Sequence, residues 1–225
     1  VYGGVGLGIT VSGLTVWSLG QTLAWTHLWG IATLISALFS IIAWTWPIGS
    51  EEKTKDRKVL ANSTERSAPE LHQAFRLLDA GYFFQGFGYI IIGTYLVVLA
   101  GPVFGPSAAA ITWAVAGVAA IPSPYFWSAL AERFGRRRAL LCCYTFQVAG
   151  AIAATFGNST VLLMVAAVLF GATFMGITML TISTGVTYGI NGGAARLTTW
   201  YSLGQVVGPA AIGVLLSNSI RTSFI

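Results

Sequence analysis

Ser128-Ala-Leu-Ala-Glu132-Arg133-Phe-Gly135-Arg136-Arg137-Arg138-Ala-Leu-Leu141 packs four of the chain's 12 basic residues into six positions. Both of its flanks are free of charge. Residues 80–131 before it and 139–195 after it hold no Lys, Arg, Asp or Glu over 52 and 57 residues. About 20 apolar residues cross a bilayer core as a helix, so each flank accommodates two crossings and a turn. The quoted stretch is then a short polar loop joining two membrane helices.

The same arithmetic extends outward. Residues 1–50 are uncharged and long enough for two crossings, and residues 197–220 for one. Only 19 of the 225 residues are charged, where a soluble domain of this length would carry roughly 56; a disordered chain and a soluble nucleic-acid binder are both excluded. Turn residues divide each long stretch: Gly20 to His27, Gly101-Pro102 to Pro106-Ser107, and Gly157-Asn158-Ser159-Thr160. Seven spans follow, near 1–19, 28–47, 77–100, 108–130, 139–156, 161–183 and 197–217.

Paired crossings return the chain to one side, so 51–79, 132–138 and Arg196 share a compartment. Eleven basic residues lie there and Arg221 alone opposite, which marks that compartment as the cytoplasm. Trp17, Trp25 and Trp29 flank the first outer turn, while Trp44, Trp46, Trp127 and Trp200 lie near the inner boundary, where amphipathic rings settle. Cys142 and Cys143 are neighbours within one span and read as small apolar filler. His27 and His72 stand in polar segments with no clustered ligands, so no metal site is expected, nor any cofactor.

The loop 128–141 resembles the signature of the major facilitator superfamily, Gly-x-Leu-Ala-Asp-Arg-x-Gly-Arg-Lys. Leu130, Ala131, Arg133, Gly135 and Arg136 match it; Ser128, Glu132 and Arg137 stand for its Gly, Asp and Lys. A second likeness lies in the seventh span, where Gly204-Gln-Val-Val-Gly208-Pro209-Ala-Ala-Ile-Gly213 is similar to the superfamily's Gly-x-x-x-Gly-Pro-x-x-Gly-Gly pattern. A looser relative, Gly3-Gly4-Val-Gly6-Leu-Gly8, opens the first span. Gly residues four apart leave a flat face for close helix contact, and an internal Pro frees a carbonyl, so Gly4, Gly8, Gly204, Gly208 and Pro209 are read as packing positions. Within the superfamily, Gly86-Phe-Gly-Tyr-Ile-Ile and the Gly-rich first span resemble the YbfB/YjiJ-like, arabinose-efflux-like bacterial branch.

The resemblance implies an all-α membrane protein whose seven transmembrane helices correspond to helices five to eleven of a twelve-helix fold. Residues 1–48 would close the first helical half, 49–73 form the central cytoplasmic linker, and 74–225 supply five spans of the second half. Four helices before Val1 and one after Ile225 would complete it, and they are the expected partners of this segment. Glu132, Arg133, Gly135, Arg136 and Arg196 would then govern a cytoplasmic gate.

Substrate chemistry needs polar groups at depth, and few exist. Gln85 and Tyr89 are four apart on the third span; Thr173 lies in the sixth and Gln205 in the seventh. Each is a candidate substrate contact, with helix-to-helix hydrogen bonding as the competing role. Asp79, three residues after Arg76, is expected to pair with it at the inner edge. The implied activity is secondary transport of a small organic solute across the inner membrane of a bacterium, by efflux or antiport, with proton coupling compatible and no enzyme activity. A membrane-embedded enzyme would need clustered catalytic groups at depth. A seven-helix retinal receptor would need a Lys within a span, and none has one.

Overall fold

A computed structural model describes residues 3–45, 68–156, 159–187 and 192–222. Most of the linker reading and the Gly157-Asn158 turn fall outside these residues. Every described element is a helix: α1 Gly3–Leu19, α2 Trp25–Trp44, α3 Ala68–Phe104, α4 Pro106–Ala120, α5 Ser123–Phe134, α6 Arg136–Thr155, α7 Thr160–Thr187 and α8 Gly193–Thr222. Among the described residues five stretches are long and apolar enough to cross a membrane, α4 and α5 together forming one of them, Ser107–Phe134.

α7 is the central helix. Of its most apolar window 56% is buried, against none for α2, because Ala166, Ala167, Gly171 and Gly176 let neighbours approach its axis. Its Phe170 and Phe174 join Leu96, Ala116 and Leu163 in the largest core cluster. Outward-facing positions stay apolar: Trp44, Tyr125, Phe84 and Val206 are all at least two-thirds exposed. A lipid-facing surface carries such residues, whereas water would penalise a contiguous belt of them.

Three features differ from the sequence reading. The fourth span is not one helix: Pro122 and Pro124 withdraw two amide donors, and the rod breaks between Ala120 and Ser123. α3 begins at Ala68, inside the segment read as linker. Finally, the close-packed face of α1 carries Gly6 and Gly13. A Cβ at Gly6 would stand 2.6 Å from Ile121 N, and one at Gly13 2.8 Å from Ala114 N. Gly4 and Gly8 face the other way, about 180° round at 100° per residue, and nothing lies within 4 Å of their Cβ positions. Spacing alone could not choose between these two glycine faces.

Candidate functional site

α1 meets α4 along a stripe without bulk. Gly117 sits so tightly that a Cβ would fall 2.5 Å from Thr10 N, and near the outer turn Gln21 donates to Ser107 Oγ at 3.4 Å. Beside this stripe α3 stands off, leaving an open-sided chamber of about 520 Å³ among α1, α3 and α4. Ser12, Gly13, Tyr89, Gly93, Thr94 and Trp113 contribute to its wall, which holds no charged residue. Such a chamber offers contact area, two aromatic rings and a few hydroxyls.

Tyr89 also belongs to an aromatic column. Its ring stacks on Phe170 at 5.5 Å, tilts against Phe174 at 5.2 Å and against Tyr201 at 6.0 Å; Tyr201 in turn stacks on Tyr82 at 4.7 Å. The column ties the chamber wall to α7 and α8. Packed rings of this kind hold their neighbours through area and quadrupole contacts.

Gln85 is placed differently, although it lies only four residues before Tyr89. It is 4% exposed and its amide pairs reciprocally with Gln147 of α6, Nε2 to Oε1 in both directions at 3.1 Å. Gln147 escaped the sequence reading; a second Gln inside a charge-free span was the available signal. Thr173 is 1% exposed and its hydroxyl donates to Leu169 O at 2.6 Å, so it is turned onto its own helix. Gln205 is half-buried on α8, beside the α3 contact. The structure therefore gathers Tyr89 into the chamber wall and distributes the other three among helix interfaces.

That α3/α8 contact is built from glycine. A Cβ at Gly204 would lie 2.1 Å from Phe83 O, one at Gly208 2.9 Å from Phe87 O, and one at Gly86 2.1 Å from Tyr201 O. Backbones this close need small residues on both helices. Pro209 is exposed within α8.

At the basic end, Gly135 turns the chain from α5 into α6 with φ 88°, a conformation that side chains with a Cβ rarely adopt. Arg136 then reaches across to α7, donating to Thr187 Oγ1 and, at 3.4 Å, to Ser183 O. A guanidinium at a helix C-terminus complements its partial negative charge. Arg133 lies 5.4 Å from the Phe134 ring centre and Glu132 is exposed.

Asp79 pairs with Arg196 of α8 and not with Arg76, which is exposed. The reason is geometric: Asp79 shares the α8-facing side of α3 with Phe75 and Tyr82, and the first turn of α8 brings Arg196 over the Phe75 ring at 5.1 Å. Asp79 is 5% exposed, and its Oδ1 meets no hydrogen-bond donor among the described residues. Intrahelical spacing favoured Arg76; tertiary packing supplied the partner from 117 positions away. Among the described residues no cluster of His, Cys, Asp or Glu could hold a metal ion.

Residues 1–222 match a family described as "Uncharacterised MFS-type transporter YbfB". Searches of curated proteins and of solved structures returned no match. An all-helical bundle of apolar spans, a signature-like basic loop closed by Gly135 and this near-complete match agree: the chain belongs to the YbfB-type family of major facilitator transporters.

Proposed function

We propose that this protein is a secondary transporter carrying a neutral, largely apolar small organic solute through the chamber beside Tyr89 by alternating access, in the inner membrane of a bacterium. The observation that carries the reading is the uncharged chamber wall. A charged solute held there would need an opposite charge at low dielectric, whereas Tyr89, Trp113, Ser12 and Thr94 offer ring contact and hydroxyls. The glycine stripe between α1 and α4 supports a movable seam, since smooth surfaces separate without unlocking side chains. Gln21 near its outer end adds one exposed bond. Efflux or antiport and coupling to protons belong to the same proposal, with Asp79 as the buried carboxylate nearest the basic end.

The test uses the intact transporter in proteoliposomes. A panel of neutral, cationic and anionic solutes is screened by solute-induced melting shift, and each hit is then assayed for counterflow with and without an imposed proton gradient. Neutral hits that exchange across the bilayer support the reading. Hits restricted to ions would place recognition elsewhere.

A further inference from the structure

Tyr89, Gly93 and Val97, four apart, share one face of α3 and line the chamber. The middle position of that stripe carries no side chain. A Cβ at Gly93 would lie 3.3 Å from Phe170 Cζ and 4.0 Å from Trp113 Cζ3, so a ring from α7 and a ring from α4 reach the bare backbone of α3 at one point. Phe170 stands behind the wall, 1% exposed. It closes a triangle of rings with Tyr89 at 5.5 Å and Phe174 at 5.3 Å, which lie 5.2 Å from each other.

Gly93 therefore sets two aromatic surfaces of the chamber at once. Trp113 meets its backbone directly, and Tyr89 is placed through Phe170. The ring partners of Tyr89 are Phe170, Phe174 and Tyr201, on α7 and α8, and Trp113 borders the same chamber from α4. A flat aromatic guest beside such rings gains offset or edge contacts beyond the area it buries, whereas a puckered saturated ring gains area alone. Ring faces also draw cations, but no carboxylate lines the chamber to replace a cation's water.

We propose that the chamber recognises a neutral solute through an aromatic ring held against Tyr89 and Trp113, with Gly93 as the residue that positions those two rings. The proposal rests on the neutral-solute reading of the chamber. Whatever closes the chamber's open side, α3, α4 and α7 supply every contact named here, and all lie among the described residues.

The test compares benzyl alcohol with cyclohexylmethanol, two neutral alcohols of equal heavy-atom count, the second being the more apolar. Each is titrated against the intact transporter in detergent by saturation-transfer NMR, with protein-free detergent as blank, and the ratio of the two affinities is read. Mere partition into apolar space favours cyclohexylmethanol. Wild type should prefer benzyl alcohol by about two- to tenfold, the worth of one aromatic pair beyond its area. Gly93→Val, which pushes on both rings, should abolish that preference, as should Trp113→Leu, which keeps an apolar wall without its ring. Gly93→Ala asks the tip of Phe170 to give only a few tenths of an ångström and should reduce the preference about twofold; if Gly93→Val does not fold, it decides. Damage to the fold alone weakens both alcohols alike and leaves the ratio unchanged. Equal affinities in wild type, or a ratio unchanged in folded Gly93→Ala or Trp113→Leu, overturns the aromatic proposal and leaves the neutral-solute reading standing. Binding of neither alcohol overturns both.

Discussion

The hydroxyl of Ser123 lies 3.1 Å from the backbone amide of Gly176, which donates to it, and it donates in turn to Ala172 O at 2.7 Å. Ala172 and Gly176 are the carbonyl and amide that an undisturbed α7 would join directly. A side chain from the fourth span thus bonds both a carbonyl and an amide of the central helix one turn apart. Trp127 adds a second donor to the same carbonyl at 2.7 Å, and one residue on, Cys143 Sγ donates to Thr173 O at 3.3 Å.

This arrangement distinguishes two substitutions. Ser123→Ala removes the bridge but leaves Gly176 and Ala172 in helical register to bond each other, so the loss should be small, about 0.6 kcal/mol and no more than about 1.7, the range for one bond between membrane helices. Gly176→Ala has no such escape, because its Cβ would fall 2.2 Å from Trp127 Cδ1. A ring in a packed core cannot step aside cheaply, and about 1–3 kcal/mol is expected. Melting or steric-trap unfolding of the intact protein compares the two. Equal losses would mean that Trp127 is free to move.

The Asp79–Arg196 pair is asymmetric: Arg196 is 48% exposed at its side chain and Asp79 only 7%. Removing Arg196 strands a buried carboxylate whose Oδ1 already meets no donor among the described residues. Removing Asp79 leaves a guanidinium that water reaches. Arg196→Gln should therefore cost about 3–5 kcal/mol, as for a broken buried pair, and Asp79→Asn clearly less. The double variant should be more stable than Arg196→Gln alone. A double-mutant cycle reads this directly, and additive losses would remove the pair from the energetics of the fold.

Glycine positions offer a third comparison. Gly204→Ala places a methyl 2.1 Å from Phe83 O, a backbone atom that only helix separation can relieve, so about 1–3 kcal/mol should be lost. Gly8→Ala adds its methyl to open space and should stay within about 0.5 kcal/mol of wild type. If the two variants melt alike, α3 and α8 are less tightly joined than their backbones indicate.

Five of the seven expected spans are matched by stretches long and apolar enough among the described residues, and they were legible because bilayer thickness imposes a length that charge-free stretches display directly. The loop at Gly135 was legible too, since Glu, Arg, Gly and Arg occur there in one order over a few residues. Partners were not. Gln85 and Gln147, or Asp79 and Arg196, meet only after helices distant in sequence pack, and no local spacing encodes that meeting. Glycine periodicity failed in a different way: α1 carries glycines on two opposite faces, and only its contact with Gly117 and Ala114 selects Gly6 and Gly13. Ser123 lay between two prolines inside a stretch read as one span, and nothing local pointed to its acceptor.

Gln85 and Tyr89 answer differently when tested for solute contact. Gln85→Ala strands the Gln147 amide and should lower stability by about 1–2 kcal/mol, the cost of interhelical hydrogen bonds in model membrane helices, with solute affinity following only as far as the fold suffers. Tyr89→Phe keeps the stack on Phe170 and removes only the hydroxyl at the chamber wall. It should melt like wild type and bind a hydrogen-bonding solute more weakly by about 0.5–1.5 kcal/mol. Tyr89→Ala should lose both, because the column from Phe170 to Tyr201 then has a gap. Isothermal titration with a solute found in the counterflow screen, run beside melting curves for each variant, separates packing from contact. Unchanged affinity in Tyr89→Phe would leave Tyr89 as a ring that shapes the chamber, and would pass hydrogen bonding to Thr94 or Ser12 on the same wall.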